Sequence, residues 1–238
     1  MTNIVILTGA GISAESGIQT FRDSNGLWNN HRVEDVATPE GFKNNPRLVN
    51  DFYNVRRAEL KTVEPNDGHR ALAKLEEAWK DIGGFLLITQ NVDDLHERAG
   101  SKNIAHMHGE LRGIRCTGED CRNHGYTDDN IGIDTLCEDC GSPMRPDVVW
   151  FGEFPKYLSQ IDRVLDNTDI LIVIGTSGQV MPASLFPTAV RHMNPKANII
   201  EVNPDPTRAA AFNYIVEGAA AVVLPVLVDN LIEQCKPR

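Results

Sequence analysis

Four of the five cysteines stand in two pairs, Cys116-x4-Cys121 and Cys137-x2-Cys140, with 15 residues between the pairs. Two thiolate pairs at this spacing can close a tetrahedral shell around one zinc ion. Four thiolates leave no position for water, so the metal they predict is structural. His124 lies close enough in sequence to be a rival ligand, and Cys235 is left over near the C-terminus. The stretch from Cys116 to Met144 is polar and poor in aliphatic residues, so an ion would have to staple what apolar burial cannot.

A second chemical signal sits near the start. Ile4 to Leu7 read as a buried strand running into Gly9-Ala10-Gly11-Ile12-Ser13-Ala14, a Gly-x-Gly-x-x-Ala loop. Such glycines let the backbone approach a pyrophosphate, and a following helix would offer free N–H groups. A tight strand-to-helix turn would use the same residues. A hydride-transferring fold would continue to a second strand ending in an acid; here a polar, Gly-punctuated loop runs from Ser16 to Trp28. That loop could close over a ligand, with Phe21 shielding a reactive ring and Arg22 reaching phosphate or ribose, or it is a surface loop with a packed Phe.

Further polar residues follow apolar runs. Gln90, Asn91, Val92 and Asp93 come just after Phe85 to Thr89, Gly175, Thr176 and Ser177 after Ile170 to Ile174, and Asn203, Pro204 and Asp205 after Ile199 to Val202. Open α/β sheets bind ligands beyond the carboxyl ends of their strands, so these ends and the glycine loop predict one nucleotide cleft. Asp93 would cap a helix in any case. His106 and His108 share one face if their segment is extended, and spacing alone does not choose a base between them.

The elements that must position these residues alternate. Strands are expected at Ile4 to Leu7, Phe85 to Ile88, Val148 to Phe151, Ile170 to Ile174, Ile199 to Val202 and Ala221 to Leu224. Helices are expected at Pro46 to Thr62, Asp67 to Lys80 (with Leu72, Leu75 and Trp79 on one side), Asp93 to Ala99, Leu158 to Asp166, Pro182 to Met193 and Val226 to Gln234. The fold class is therefore α/β with a mainly parallel sheet and a small zinc-binding insert. The chain of 238 residues can fill a sizeable core. Its formal charge of -10 and lack of a basic patch argue against nucleic acid as a partner. No apolar run is long enough for a membrane span, no leader pattern is visible, and the cytoplasm is the expected location.

On the helix from Pro46, Leu48, Val49, Phe52, Tyr53, Val55 and Leu60 occupy an arc of about 160°, with Arg56 near its middle. Tyr53 and Arg56, at i and i+3, could converge on one anion, so the pair reads as a carboxylate receptor. A structural pair between Arg56 and Glu59, or a snorkelling side chain, would use the same residues.

Gly9-Ala-Gly-Ile-Ser-Ala-Glu-Ser-Gly17, Thr89-Gln-Asn-Val-Asp93, His108-Gly109-Glu110, the cysteine pairs, Phe151-Gly152-Glu153 and Gly175-Thr-Ser177 occur in the order seen in sirtuins. The chain resembles these NAD-dependent protein lysine deacylases from residue 4 to about residue 225. The resemblance implies a single catalytic domain over 1–238. Its Rossmann-like NAD-binding core would cover about 1–30, 84–112 and 145–238, with a helical segment at about 31–83 and a zinc insert at about 113–144. It implies NAD, consumed as co-substrate, held by Gly9, Ala10, Gly11, Ser13, Ala14, Phe21, Arg22, Trp28, Gln90, Asn91, Val92, Asp93, Gly175, Thr176, Ser177, Asn203, Pro204, Asp205 and Ala220. His108 matches the family's catalytic base, which takes a proton from a ribose hydroxyl. Val149, Phe151 and Gly152 match the segment that binds acyl-lysine peptides, and Tyr53-x-x-Arg56 resembles the bacterial branch that removes succinyl and malonyl groups. Acetyl removal is expected as well. An NAD-consuming ADP-ribosyltransferase would share the glycosidic cleavage, and an idle NAD-binding module stabilised by zinc would share the fold. The presence of Gln90, Asn91, Asp93 and His108 together favours chemistry over the idle module.

Overall fold

The computed structural model describes residues 1–19, 27–28 and 30–235. In chain order the strands are β1 (Ile4–Thr8), β2 (Leu27–Trp28), β3 (His31–Arg32), β4 (Phe85–Thr89), β5 (Ile104–His106), β6 (Gly109–Cys116), β7 (His124–Tyr126), β8 (Met144–Val148), β9 (Ile170–Ile174), β10 (Asn198–Asn203) and β11 (Tyr214–Glu217). The helices are α1 (Val33–Val36), α2 (Pro39–Asn44), α3 (Pro46–Glu59), α4 (Asp67–Trp79), α5 (Leu95–Ala99), α6 (Leu158–Leu165), α7 (Phe186–Met193) and α8 (Ala220–Cys235).

Apolar strands β1, β4, β9 and β10, buried on both faces, form the centre of a parallel six-stranded sheet in the order β11-β10-β9-β1-β4-β5. Leu72, Leu75 and Trp79 of α4 and Leu224 and Val228 of α8 cover one face. Ile161 and Leu165 of α6 and Phe186 and Val190 of α7 cover the other. The α/β class expected from alternating patterns is the observed one. A separate antiparallel sheet, β7-β6-β8, carries the cysteine region. Helices α1 and α3 pack with Leu111, Val148 and Trp150 in a third cluster beside it. Among the described residues, no helix is long and apolar enough to cross a membrane.

Two expected strands are corrected. Ala221 to Leu224 lie inside α8, because Ala220, Leu224 and Val228 recur every four residues and are buried together on one helical face. That packing overrides the β-branched composition, and Pro225 is carried inside the helix. The outer strand is instead β11, where Tyr214 and Ile215 are exposed at the sheet's edge. Val148 to Phe151 also fail as a strand. Strand β8 ends at Val148, and the chain turns at Phe151 and Gly152, where Gly152 has φ +92°.

Strands β10, β9, β1 and β4 are neighbours, so their carboxyl ends lie side by side. Gly9 N–H donates to Ile174 O (2.9 Å), Gly11 N–H to Gly175 O (2.8 Å) and Gln90 N–H to Thr8 O (3.0 Å). A Cβ on Gly11 would lie 2.6 Å from the Gly175 Cα, so the glycine is needed for one backbone to touch another. Two short 3-10 turns, Ala10–Ile12 and Ala14–Ser16, replace the expected helix after the loop. Gly11→Ala is expected to cost on the order of 1–3 kcal/mol of stability by forcing these loops apart. Urea denaturation of the variant checks this, and an unchanged midpoint refutes it.

Candidate active site at the strand ends

Under the crevice lies a buried hydrogen-bond network. The Ser13 hydroxyl donates to Asp93 Oδ2 (3.0 Å) and accepts from Asn91 Nδ2 (3.1 Å). His69 Nε2 is 3.4 Å from the same oxygen. Asn66 N–H donates to His69 Nδ1, which leaves the ring proton on Nε2, facing Ser13. Deeper, Thr8 Oγ1 donates to Thr89 Oγ1 and lies 3.1 Å from His96 Nε2. Burial pushes the imidazole of His69 down to about 4 and that of His96 well below its ordinary value, so both are neutral. Burial also pushes the Asp93 carboxyl up to about 6, against the Leu95 N–H and Ser13 hydroxyl that favour its charge. Asp93 thus receives the Leu95 N–H in a tight turn, while the cap position itself falls on Asp94.

The other strand ends complete the wall. Asn203 Nδ2 donates to Thr176 O (2.9 Å), and Asp205 N–H donates to Asn203 Oδ1 (3.2 Å). Gly175, with φ +59°, faces Gly11. Ala220 opens α8, next to Ala221, whose N–H donates to Glu15 Oε2 (2.8 Å). Val92 O accepts from Leu111 N–H (2.8 Å). Gln90 Nε2 is buried and has no protein partner among the described residues, the state expected of an amide reserved for a ligand. The donor set therefore fits a dinucleotide, with Ala10, Ala14, Thr176, Ser177 and Pro204 on the same loops. Phe21 and Arg22 lie outside the described residues. Trp28 is placed on α3, edge-on to Phe52 (5.0 Å) and Tyr53 (6.1 Å).

The two histidines now differ. His106 is buried, with Nδ1 3.2 Å from Asn91 O and Nε2 2.6 Å from Glu97 Oε1, so both ring nitrogens are engaged. Burial works against its charge, but the Glu97 carboxylate prevails and raises its pKa. His108 Nδ1 lies 3.1 Å from Gln90 O, which assigns the proton to Nδ1 and leaves Nε2 as a basic lone pair. Burial lowers its pKa despite that hydrogen bond. Gly109 makes the sharp turn possible: its φ is +78°, and a Cβ there would meet Asp147 O at 1.9 Å.

On α3, Tyr53 is fully buried and its hydroxyl accepts from Trp150 Nε1 (3.0 Å), which leaves its proton to donate elsewhere. Burial raises the phenol's pKa, so it stays protonated. Arg56 is half-buried, donates to Phe52 O (2.7 Å), stacks 3.9 Å from the Phe52 ring and acts electrostatically on Tyr53. The buried face is rotated from the sequence arc: Val55 is 53% exposed, whereas Asn50, Asn54 and Arg57 are buried. These polar residues face inward because they dock on backbone. Asn50 Nδ2 donates to Gly132 O, Asn54 exchanges hydrogen bonds with Ile131, and Arg57 donates to Leu111 O and Asp129 O. Their helical spacing of i, i+4 and i+7 is the one sequence signal that could have found them. Near Tyr53, Val149 N–H donates to His108 O and Phe151 N–H to Ala37 O. Glu153 accepts from Trp150 N–H and Arg145, holding the turn that includes Gly152.

The sulfurs of Cys116, Cys121, Cys137 and Cys140 all lie within 4.8 Å of one another, with Cys116–Cys140 at 3.3 Å and Cys121–Cys137 at 3.6 Å. A zinc tetrathiolate with Zn–S of about 2.3 Å has edges of about 3.8 Å, so the set fits one structural zinc. The local core is small, only Cys116, Cys137 and Met144 with Ile114 and Cys121 against them. His124 is exposed, with Nδ1 3.0 Å from Arg122 O, and is outside the four-sulfur group.

A strand-end nucleotide crevice joined to a four-cysteine lobe defines a nucleotide-dependent enzyme class. The sequence pattern of the Sir2 family matches residues 9–182, and the chain belongs to that family. It is 50% identical to the "NAD-dependent protein deacylase" of Bdellovibrio bacteriovorus over 236 residues, covering 97% of each chain. It also resembles a Sir2 homologue solved in complex with NAD (TM-score 0.87, 42% identity, 98% of this chain and 91% of that one). A mutant Sir2 homologue in complex with 2′-O-acetyl-ADP-ribose is similar to the same degree (TM-score 0.86, 41% identity, 99% and 94%).

Because the 128–132 loop of the cysteine lobe is docked on α3, stripping zinc is expected to raise amide exchange in residues 113–144 and also along α3. Exchange mass spectrometry before and after chelation reads this directly; an unchanged α3 would show that the two are uncoupled.

Proposed function

We propose that this Sir2-family enzyme is an NAD-dependent protein lysine deacylase that takes succinyl and malonyl groups as well as acetyl. Near-full-length identity to proteins named NAD-dependent protein deacylase supports the broad activity. The observation that carries the chemistry is the orientation of His108, whose Nδ1 is tied to Gln90 O while Nε2 is left to accept a proton.

NAD supplies a ribose–nicotinamide bond whose cleavage exposes an electrophilic sugar carbon. The residues of the chain do the rest. Gln90, Asn91 and Asp93 are proposed to orient the dinucleotide, and His108 Nε2 accepts a proton from a ribose hydroxyl as it becomes a nucleophile. The Val149 to Gly152 segment is proposed to pair with the backbone of an extended peptide, a mode that asks little of its sequence. Zinc, held by Cys116, Cys121, Cys137 and Cys140, keeps the lobe folded.

The acyl preference rests on Tyr53 and Arg56. A phenol that keeps its proton and a guanidinium beside it together suit a carboxylate at the end of an acyl chain. Arg56→Met is expected to lose most desuccinylation yet retain appreciable deacetylation, since only the first leaves an acyl carboxylate unpaired. Matched acetyl and succinyl peptides measure the split, and equal losses refute the receptor.

His108→Tyr is expected to abolish turnover of both peptides while NAD binding persists. In the parent enzyme the base works deprotonated. Since burial lowers its pKa, kcat/KM should fall toward acid only below the usual imidazole value of about 6.5. An acid limb centred above that value, or turnover in His108→Tyr, removes His108 from the role.

A further inference from the structure

Behind the loop that carries Gln90 and Asn91, a second set of ligand atoms converges. Glu97, His106 and Glu110 bring two carboxylate oxygens and one imidazole nitrogen within 4.8 Å of one another. Glu97 and Glu110 open onto a cavity of about 500 Å³ that also includes Asp94, Arg112 and Tyr126. The cavity's arginines serve other carboxylates, Arg98 pairing with Glu64 and Asp94, and Arg112 with Asp94 and Asp128.

Two of the three donors are oriented from behind. His106 Nδ1 donates to Asn91 O (3.2 Å), which turns Nε2 toward Glu97 Oε1 at 2.6 Å. The Tyr126 hydroxyl donates to Glu110 Oε2 at 2.8 Å. Metal-binding imidazoles and carboxylates are held by hydrogen bonds of this kind, which fix the ring and direct the remaining lone pairs at the ion. The cavity supplies an entry path and room for water ligands.

We propose that Glu97, His106 and Glu110 form a second metal site, separate from the four cysteines, that takes a divalent ion of the zinc class. One imidazole and two carboxylates suit Zn²⁺ or Co²⁺, and without thiolates the site holds its ion more weakly than the cysteine lobe does. The ion takes the place of the proton between His106 and Glu97, which leaves to solvent. Occupancy ties α5 to β5 and β6 and fixes the Asn91 carbonyl, one residue from the Gln90 carbonyl that holds His108.

Zinc-replete enzyme titrated with Co²⁺ tests the site. One further equivalent is expected, with visible bands of nitrogen and oxygen ligation, no thiolate charge-transfer band, and a melting temperature that rises with Co²⁺ concentration. Glu97→Gln should abolish that equivalent, and Tyr126→Phe, which keeps all three donors, should weaken it about tenfold. Glu97 and Tyr126 both reach the surface, so both variants should fold. The proposal is overturned if no further equivalent binds, if thiolate bands are the only new signal, or if Glu97→Gln binds Co²⁺ as the parent does.

Discussion

The hydroxyl of Ser13 joins the elements around the crevice. It donates to Asp93, accepts from Asn91 and meets the imidazole of His69, linking the loop after β1, the loop after β4 and the first turn of α4. Buried hydrogen bonds of this kind are expensive to break singly, because every loss strands a partner away from water. The neutral state of His69 and His96 follows from the same burial, and the Asp93 carboxylate is met by the Ser13 hydroxyl and the Leu95 N–H rather than by a cation. A rigid floor of this sort can hold Gln90 with its amide nitrogen unspent and His108 with its basic nitrogen turned outward.

Backbone contact performs the complementary task on the other side of β1. Gly11 lies against Gly175 so closely that the two loops form one surface, and Asn203 stitches the next strand end to it through Thr176 O. The close approach here is protein against protein, so this side of the crevice is assembled by the chain's own contacts. The zinc lobe is coupled in a different way. Its 128–132 loop presents carbonyls to Asn50, Asn54 and Arg57, so a metal-dependent segment helps to hold the helix bearing Tyr53 and Arg56. One helix, α3, therefore carries both the side chains docked on the metal-dependent loop and the pair proposed to read the acyl chain, on faces about 100° apart.

Much of the architecture was legible because strong local signals agreed with the final packing. The runs at Ile4, Phe85, Ile170 and Ile199 are strands, the helix from Asp67 buries Leu72, Leu75 and Trp79, and Gly100 ends α5 with φ +107°. The misread segments are those where local preference and tertiary packing disagree. Ala221 to Leu224 are β-branched enough to suggest a strand, yet the four-residue recurrence of Ala220, Leu224 and Val228 against the sheet wins. Arg57, Asn50 and Asn54 lie outside the apolar arc of α3, and nothing in a sequence announces a distant loop of carbonyls.

The α/β class, the polar residues at the strand ends and the four thiolates are legible along the chain, since periodicity and ligand spacing are properties of sequence neighbours. The difference between His106 and His108 is visible in the tertiary structure alone, because it lies in which ring nitrogens are engaged by Asn91 O, Glu97 and Gln90 O. The tertiary structure likewise excluded His124 from the sulfur cluster and placed Arg57 inside. Those outcomes rest on hydrogen bonds and burial between segments tens of residues apart, which one-dimensional spacing does not encode.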